Sequence, residues 1–262
     1  MSVMLQVENL NVKAEFDRYE GDILQDISFC VCQGQPLAII GESGSGKTMC
    51  ALALLGLLPS NCVASGSVKL DGKEILGLKE RRLNAMRGCE LAYIPQSGAE
   101  FLNPALKISS HFYETLKKSG IKDRRSRREI ALQKLSQAGL ADVGEEVLAK
   151  YPHQLSGGQA QRTVLALSLC QNARLIIADE PTKGIDSETA QCFERCMDTA
   201  FKESCLIIIT HDVRLAGKCH SVAVIKDGRI VEYGAAGEVL SAPSNEYTKS
   251  LIAAMPKDGD YA

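Results

Sequence analysis

The apolar run Leu37-Ala38-Ile39-Ile40, the eight residues Gly41-Glu42-Ser43-Gly44-Ser45-Gly46-Lys47-Thr48 and the apolar stretch Met49 to Leu58 together leave this chain few folds to adopt. The octapeptide fits the pattern G-x-x-x-x-G-K-[ST] at every fixed position. A four-residue apolar run before it reads as a buried strand, and the apolar segment after it as a helix, so the motif has the strand-loop-helix context its chemistry needs. Gly41, Gly44 and Gly46 let the backbone turn so that successive N–H groups face phosphate oxygens, and the helix N-terminus adds partial positive charge. Glu42, Ser43 and Ser45 contribute their backbone to the same cradle. Lys47 is placed to reach the outer phosphates and the Thr48 hydroxyl to join the coordination of Mg²⁺. A glycine turn with a chance lysine is the plain alternative, and a match in full context argues against it.

Two further apolar strands end in chemistry. Leu175-Ile176-Ile177-Ala178 runs into Asp179-Glu180, and Leu206-Ile207-Ile208-Ile209 into Thr210-His211-Asp212. Open α/β sheets bind ligands outside the carboxyl ends of their strands. Asp179 is expected to hold Mg²⁺ directly or through a water, and Glu180 to orient or deprotonate a water attacking the γ-phosphate. His211 alone would read as a surface or capping histidine; its position after the third strand makes it a candidate for the same site.

Composition agrees with such a chain and excludes other classes. With 262 residues, 45% hydrophobic and 24% charged, a sheet can be covered by helices on both sides. No apolar run approaches the ~20 residues of a membrane span, Ala51 to Leu58 being the longest candidate. No basic, apolar, small-residue leader opens the chain, so a cytoplasmic location is expected, with the membrane reached through partners. A net charge of −2 offers no electrostatic reason to expect nucleic acid or anionic lipid as the main partner. The ten cysteines include no Cys-x-x-Cys pair and read as free thiols filling small apolar spaces rather than as zinc or iron-sulfur ligands.

The chain divides without a linker or repeats. From Leu5 to about Gln96, alternating segments such as Val3 to Val7, Ile27 to Val31 and Val68 to Leu70 predict a β-rich layer, with Gln33-Gly34 and Asp71-Gly72 as hairpin turns. From about Phe101 to Tyr151 the pattern is helical, and Arg124, Arg125, Arg127 and Arg128 read as a solvated helix face. Strand-helix alternation returns from Leu155, with a late hairpin at Asp227-Gly228, and residues after Pro256 read as a short mobile tail.

Within that last part, Leu155-Ser156-Gly157-Gly158-Gln159 opens a helix whose apolar side carries Val164, Leu165 and Leu167. Unpaired N–H groups and a serine hydroxyl there predict an anion site without a lysine. In order along the chain stand the Gly41 to Thr48 loop, Gln96 after Tyr93-Ile94-Pro95, the Leu155 to Gln159 turn, Asp179-Glu180, Asp186 and His211. In this order and over Leu5 to Met255 the chain resembles the nucleotide-binding subunit of ATP-binding-cassette transporters. The resemblance implies an α/β phosphate-loop NTPase fold of the cassette type, a single ATP-binding domain over 1–262. It has a β-rich N-terminal layer, a parallel core sheet and a helical subdomain inserted at about 101–170. It implies ATP and Mg²⁺ as ligands, with Thr48, Gln96 and Asp179 around the metal and Glu180, His211 and Gln96 in catalysis. It also implies a head-to-tail dimer in which each ATP lies between the phosphate loop of one chain and the Leu155 to Gln159 turn and Asp186 of the other. An aromatic residue from the loop after the first strand stacks on adenine, and Phe16 and Tyr19 are both candidates.

Two stretches resemble the oligopeptide, dipeptide and nickel importer group: Phe101-Leu102-Asn103-Pro104, and Ala242 to Leu251 with its Tyr247-Thr248-Lys249. Leu57-Leu58-Pro59-Ser60 and Arg87-Gly88 look like the first of two different ATPases that such importers often carry, a homodimer being the competing arrangement. Longer members carry a four-cysteine cluster near the C-terminus, whereas this chain has no cysteine after Cys219, which leans toward the shorter nickel-type members. The implied partners are a second ATPase subunit and two permease subunits, with a solute-binding protein acting indirectly, at the cytoplasmic face of the membrane. Lys183 departs from the small or apolar residues usual before Asp186, either neutralising charge across the interface or facing solvent. A soluble cassette ATPase uncoupled from transport is the alternative function, and a phosphate-loop kinase would not need Leu155 to Gln159.

Overall fold

A computed structural model of the chain describes residues 3–16, 19–183 and 186–254. It comprises two compact units, one of Met1–Leu83 with Cys205–Ala262 and one of Asn84–Ser204. The chain starts in the first unit with β1 (Val3–Phe16), β2 (Tyr19–Cys32), β3 (Leu37–Ile40), α1 (Lys47–Leu54), β4 (Cys62–Leu70) and β5 (Lys73–Glu74), and α2 (Glu80–Met86) carries it onward. The second unit holds β6 (Leu91–Ile94), α3 (Gly98–Phe101), α4 (Ile108–Lys118), α5 (Arg124–Gln137), α6 (Gly144–Ala149), a 3₁₀ turn (Pro152–Gln154), α7 (Gly157–Leu169), β7 (Leu175–Asp179) and α8 (Ser187–Asp198). The return to the first unit runs through β8 (Cys205–Ile209), α9 (Val213–Gly217), β9 (Ser221–Lys226), β10 (Arg229–Ala235), α10 (Ala236–Ser241) and α11 (Glu246–Ala254).

In the first unit β3 pairs in parallel with both β8 and β9, and β10 closes antiparallel on β9. Strands buried on both faces read as continuous apolar runs, and Leu37 to Ile40, Cys205 to Ile209 and Val222 to Ile225 are all buried. A second sheet, ordered β2-β1-β4-β5, is antiparallel and half-covered. Its inward residues switch from odd to even numbers along β1: Leu5 and Val7 are buried, then Leu10, Val12 and Ala14. The switch falls at Asn9, whose φ of 49° marks the bulge that breaks register between Val7 and Leu10.

Asp71-Gly72 makes the expected hairpin between β4 and β5. Gln33-Gly34 does not. It hands the chain from β2 in one sheet to β3 in the other, because β3 is claimed on both sides by parallel neighbours. The helix after the phosphate loop is also shorter than the apolar run: it starts at Lys47 and stops at Leu54, ahead of Gly56 (φ 61°) and Pro59.

In the second unit β6 lies parallel to β7. The helical segment between them is amphipathic at helical spacing, Ile108, Phe112 and Leu116 being buried on α4 and Ala131 and Leu135 on α5. The arginine run on α5 is solvated at three positions. Arg125 pairs with Glu129 at 3.0 Å and Arg128 with Glu145 at 2.6 Å, while Arg127 turns back to donate to the Ile121 and Lys122 carbonyls. All ten cysteines are free, and burial pushes the Cys50, Cys170 and Cys219 thiols up to about 12, so these three are neutral fillers. Among the described residues no helix is long and apolar enough to cross a membrane and no cluster of metal-ligating side chains occurs. The tail after Pro256 lies outside the described residues.

Candidate functional site

In the first unit the phosphate loop leaves β3 and enters α1 with its conformation forced by sterics. Gly41 has φ 155°, and a Cβ there would stand 2.2 Å from the Ile225 carbonyl oxygen. Gly46, the residue ahead of α1, has φ 104°, and a Cβ there would meet Leu24 at 2.7 Å. Both positions therefore require glycine. Lys47 is buried and its ammonium donates to the Gly41 and Glu42 carbonyls at 2.8 and 2.7 Å, closing the loop around a cation. Thr48 is exposed at the first turn of α1.

One contact of this loop comes from far along the chain. The Glu42 N–H donates to the Tyr247 hydroxyl at 3.1 Å. Tyr247 belongs to α11, whose start is held by Glu232: the Ser244 N–H, the Ser244 hydroxyl and the Asn245 N–H donate to its carboxylate at 2.7, 2.8 and 3.2 Å. Lys226 lies 4.8 Å from the Tyr247 ring centroid. The Tyr247-Thr248-Lys249 stretch was legible only as a family-like pattern; nothing in its spacing relates it to Glu42.

His211 follows β8, the parallel neighbour of β3, and the Thr210 N–H donates to Ile39 at 3.2 Å, so Gly41 and His211 leave adjacent strand ends. Phe16 and Tyr19 face each other in register where β1 passes to β2. Their side chains lie outside the described residues, and the choice between them stays open.

In the second unit the chemistry again stands at the carboxyl ends of neighbouring parallel strands, with Ile94 opposite Ala178. Gln96 follows β6 and is exposed, and Asp179 ends β7 only 6% exposed. The Tyr93 hydroxyl donates to Asp179 Oδ2 at 3.2 Å. Burial, with the Asp179 charge added, pushes the Tyr93 phenol well above its ordinary range, so it remains a donor. Glu180 adopts φ 49°, left-handed for a residue with a Cβ, and its carbonyl accepts the Lys183 N–H at 3.1 Å. Such strain is characteristic of functional turns. Lys183 is exposed; Gly184 and Ile185 lie outside the described residues.

The Leu155 to Gln159 turn differs from its expected chemistry in one respect. Ser156 caps α7 with its hydroxyl oxygen, accepting the Gln159 N–H at 3.1 Å, and Gln159 Oε1 accepts the Ser156 N–H at 3.2 Å. This reciprocal capping box uses two groups expected to await an anion, because a helix start satisfies its own donors when it can. Ser156 and Gly157 are exposed at this turn and Gly158 is half-buried. Asp186 likewise caps α8, accepting from the Thr189 N–H at 2.8 Å and hydroxyl at 2.9 Å. The Thr189 amide, foremost, holds its carboxyl below the usual carboxylate range.

Arg162, within α7, ties that helix to the start of α8. Its guanidinium donates to the Thr189 hydroxyl at 2.7 Å, the Gly139 carbonyl at 3.0 Å, and Asp186 and Glu188 at 3.1 Å each. Gln161, buried beside it, donates to the Pro95 carbonyl at 3.1 Å, just ahead of Gln96. Neither residue is marked out in the sequence, since both sit on a helix with no motif of their own.

Comparison with known proteins agrees with this arrangement. The ABC transporter family pattern matches residues 24–183. The dipeptide transport ATP-binding protein DppD of Lactococcus lactis subsp. cremoris is 37% identical over 97% of this chain and 74% of its own length. The oligopeptide transport ATP-binding protein OppD of Salmonella typhimurium is 34% identical over 98% and 77%. Among solved structures, a dimeric ATP-binding cassette in a post-hydrolysis state bound to ADP and Pi superposes with a TM-score of 0.77 at 26% identity, covering 89% of this chain and 99% of that one. Fold and site define an ATP-binding cassette of the phosphate-loop class. The chain belongs to the ABC transporter family, and its activity is ATP hydrolysis in the service of transport.

Proposed function

We propose that the protein is the ATPase subunit of a peptide importer and that two cassettes share each ATP. The observation that carries the dimeric reading is the division of phosphate-binding chemistry. One unit holds a glycine cradle closed on Lys47, and the other a glycine-rich helix start exposed at Ser156 and Gly157. The peptide assignment draws on the relatives named above. The whole chain is taken as one ATP-binding domain, with the helical part at about 101–170 as its inserted subdomain. The partners are a second ATPase, self or paralogue, two permeases at the cytoplasmic face of the membrane, and through them a solute-binding protein.

The groups offered by Thr48, Gln96 and Asp179 are a hydroxyl, an amide and a carboxylate, a hard-oxygen donor set that suits Mg²⁺. When bound, the ion neutralises charge on the β- and γ-phosphates. Lys47, together with the loop's amides other than those of Glu42 and Ser45, orients the phosphates. Glu180, held by its strained turn, accepts the proton of the attacking water, and His211 hydrogen-bonds the γ-phosphate. Leu155 to Gln159 and Asp186 complete the site on the partner's ATP, and Phe16 or Tyr19 supports the adenine.

Phe101, 53% exposed, is the surface residue expected to meet a short cytoplasmic helix of a permease. Leu102 is 3% exposed and packs inward, so it is unsuited to that contact. The test is co-purification with the permeases encoded beside it and uptake of a dipeptide in cells carrying Phe101→Asp. Loss of both, with ATP binding by the isolated chain retained, supports the reading. Uptake of a nickel chelate in place of peptide would move the cargo to the metal branch of the group, and an active ATPase that captures no permease would favour a soluble cassette.

A further inference from the structure

Tyr93 touches both the Asp179 carboxylate and the Phe101 ring. It pairs with Ile177 across the parallel β6 and β7 strands, so its side chain shares a face with Asp179, two residues further on. The phenol spans that diagonal and donates to Asp179 Oδ2 at 3.2 Å. Its ring meets Phe101 edge-on, with centroids 6.3 Å apart and planes at 66°. Asp179 is 6% exposed and Phe101 53%, so a single side chain connects a buried carboxylate to an exposed aromatic ring.

We propose that Tyr93 is a positioning residue for the Asp179 carboxylate, and that it transmits the occupancy of the Phe101 surface to the metal-holding end of β7. The proposal rests on the reading above that Asp179 helps hold Mg²⁺ and that Phe101 faces a permease helix. A charge-assisted bond from a phenol stabilises the ionised carboxylate and directs the oxygen it reaches. Hydrogen bonds weaken steeply with angle and distance, and the hydroxyl sits at the far end of the ring that Phe101 touches. A partner pressing on Phe101 therefore tilts Tyr93 and changes how firmly Asp179 is held.

The experiment titrates Mn²⁺, read by its electron paramagnetic resonance signal, onto the full chain saturated with a non-hydrolysable ATP analogue. Tyr93→Phe keeps the ring contact and should weaken Mn²⁺ about tenfold, the loss expected for one bond to a charged group, while affinity for the analogue in chelator stays unchanged. Phe101→Ala should weaken Mn²⁺ less, and should add nothing in the Tyr93→Phe background. Unchanged Mn²⁺ affinity in Tyr93→Phe, with or without a lower melting temperature, overturns the positioning role. Full additivity of the two changes overturns the link. Asp179→Asn separates this from the parent reading: if it too leaves Mn²⁺ unaffected, Asp179 does not hold the metal at all.

Discussion

The phosphate loop and the Leu155 to Gln159 turn are both glycine-rich helix starts, yet the structure completes one and leaves the other open. At Gly41 to Thr48 neighbouring strands of the same unit forbid a Cβ, Lys47 donates to the loop's own carbonyls, and Tyr247 receives the Glu42 amide. At Ser156 the exposed helix start is tied back on itself by a capping box, while Arg162, further along the same helix, reaches Asp186 at the start of α8. A cradle with its own lysine can bind a polyanion alone. A capped helix start offers only dipole and amide donors, which suffice to complete a site that another loop has already charged.

The largest expected effect tests what the nucleotide is held for. Glu180→Gln should retain ATP binding and lose about 10²–10⁴ in turnover, the range for removing a general base. Phosphate release and equilibrium binding measure the two halves, and the variant should accumulate as an ATP-bound dimer. Near-normal hydrolysis would remove Glu180 from the role of base.

The comparison itself is tested by a pair of variants. Lys47→Ala should weaken ATP binding by roughly 2–4 kcal/mol, the worth of lost charge-assisted bonds. Ser156→Arg should leave binding by the single chain intact and abolish turnover. Equal binding defects in both would mean that the two turns act on the same nucleotide from one chain.

A smaller effect is expected at Arg162. Arg162→Ala breaks four contacts, three at the start of α8 and one to the Gly139 carbonyl, and should lower stability by about 1–3 kcal/mol in urea unfolding. Turnover should fall with it while ATP affinity stays constant. An unchanged rate in a destabilised variant would make the arginine purely structural.

The smallest sharpens the account of the closed loop. Tyr247→Phe removes one neutral hydrogen bond and should weaken ATP binding by about 0.5–1.5 kcal/mol. Isothermal titration would show it, and Tyr247→Ala should add a loss of melting temperature that the phenylalanine variant lacks.

Much of this site was readable before folding. The phosphate loop, the paired carboxylates after β7 and the helix start at Ser156 are local: each needs a few consecutive residues whose φ, reach or capping chemistry is intrinsic to their type. The buried parallel strands were equally plain, since burial on both faces leaves four or five apolar residues in a row. Where alternation was interrupted, as at the Asn9 bulge, the strand remained legible but its inward face did not.

Other features depended on which elements became neighbours. Gln33-Gly34 has the residues of a hairpin, and only the parallel pairing of β3 with β8 and β9 turns it into a passage between sheets. Leu102 and Phe101 are adjacent and similarly apolar, yet one is buried and the other exposed, which no local rule distinguishes. The chain's residues alone determined that a glycine-rich loop would follow one buried strand and paired carboxylates another, because backbone sterics and motif chemistry act over a handful of positions. Only the tertiary structure decided that Tyr247 steadies the loop, that Arg162 ties α7 to the start of α8 and that Tyr93 bridges Asp179 to Phe101. A long polar side chain finds its partner through the packing of distant segments, and that packing leaves no trace in the spacing of the residues it joins.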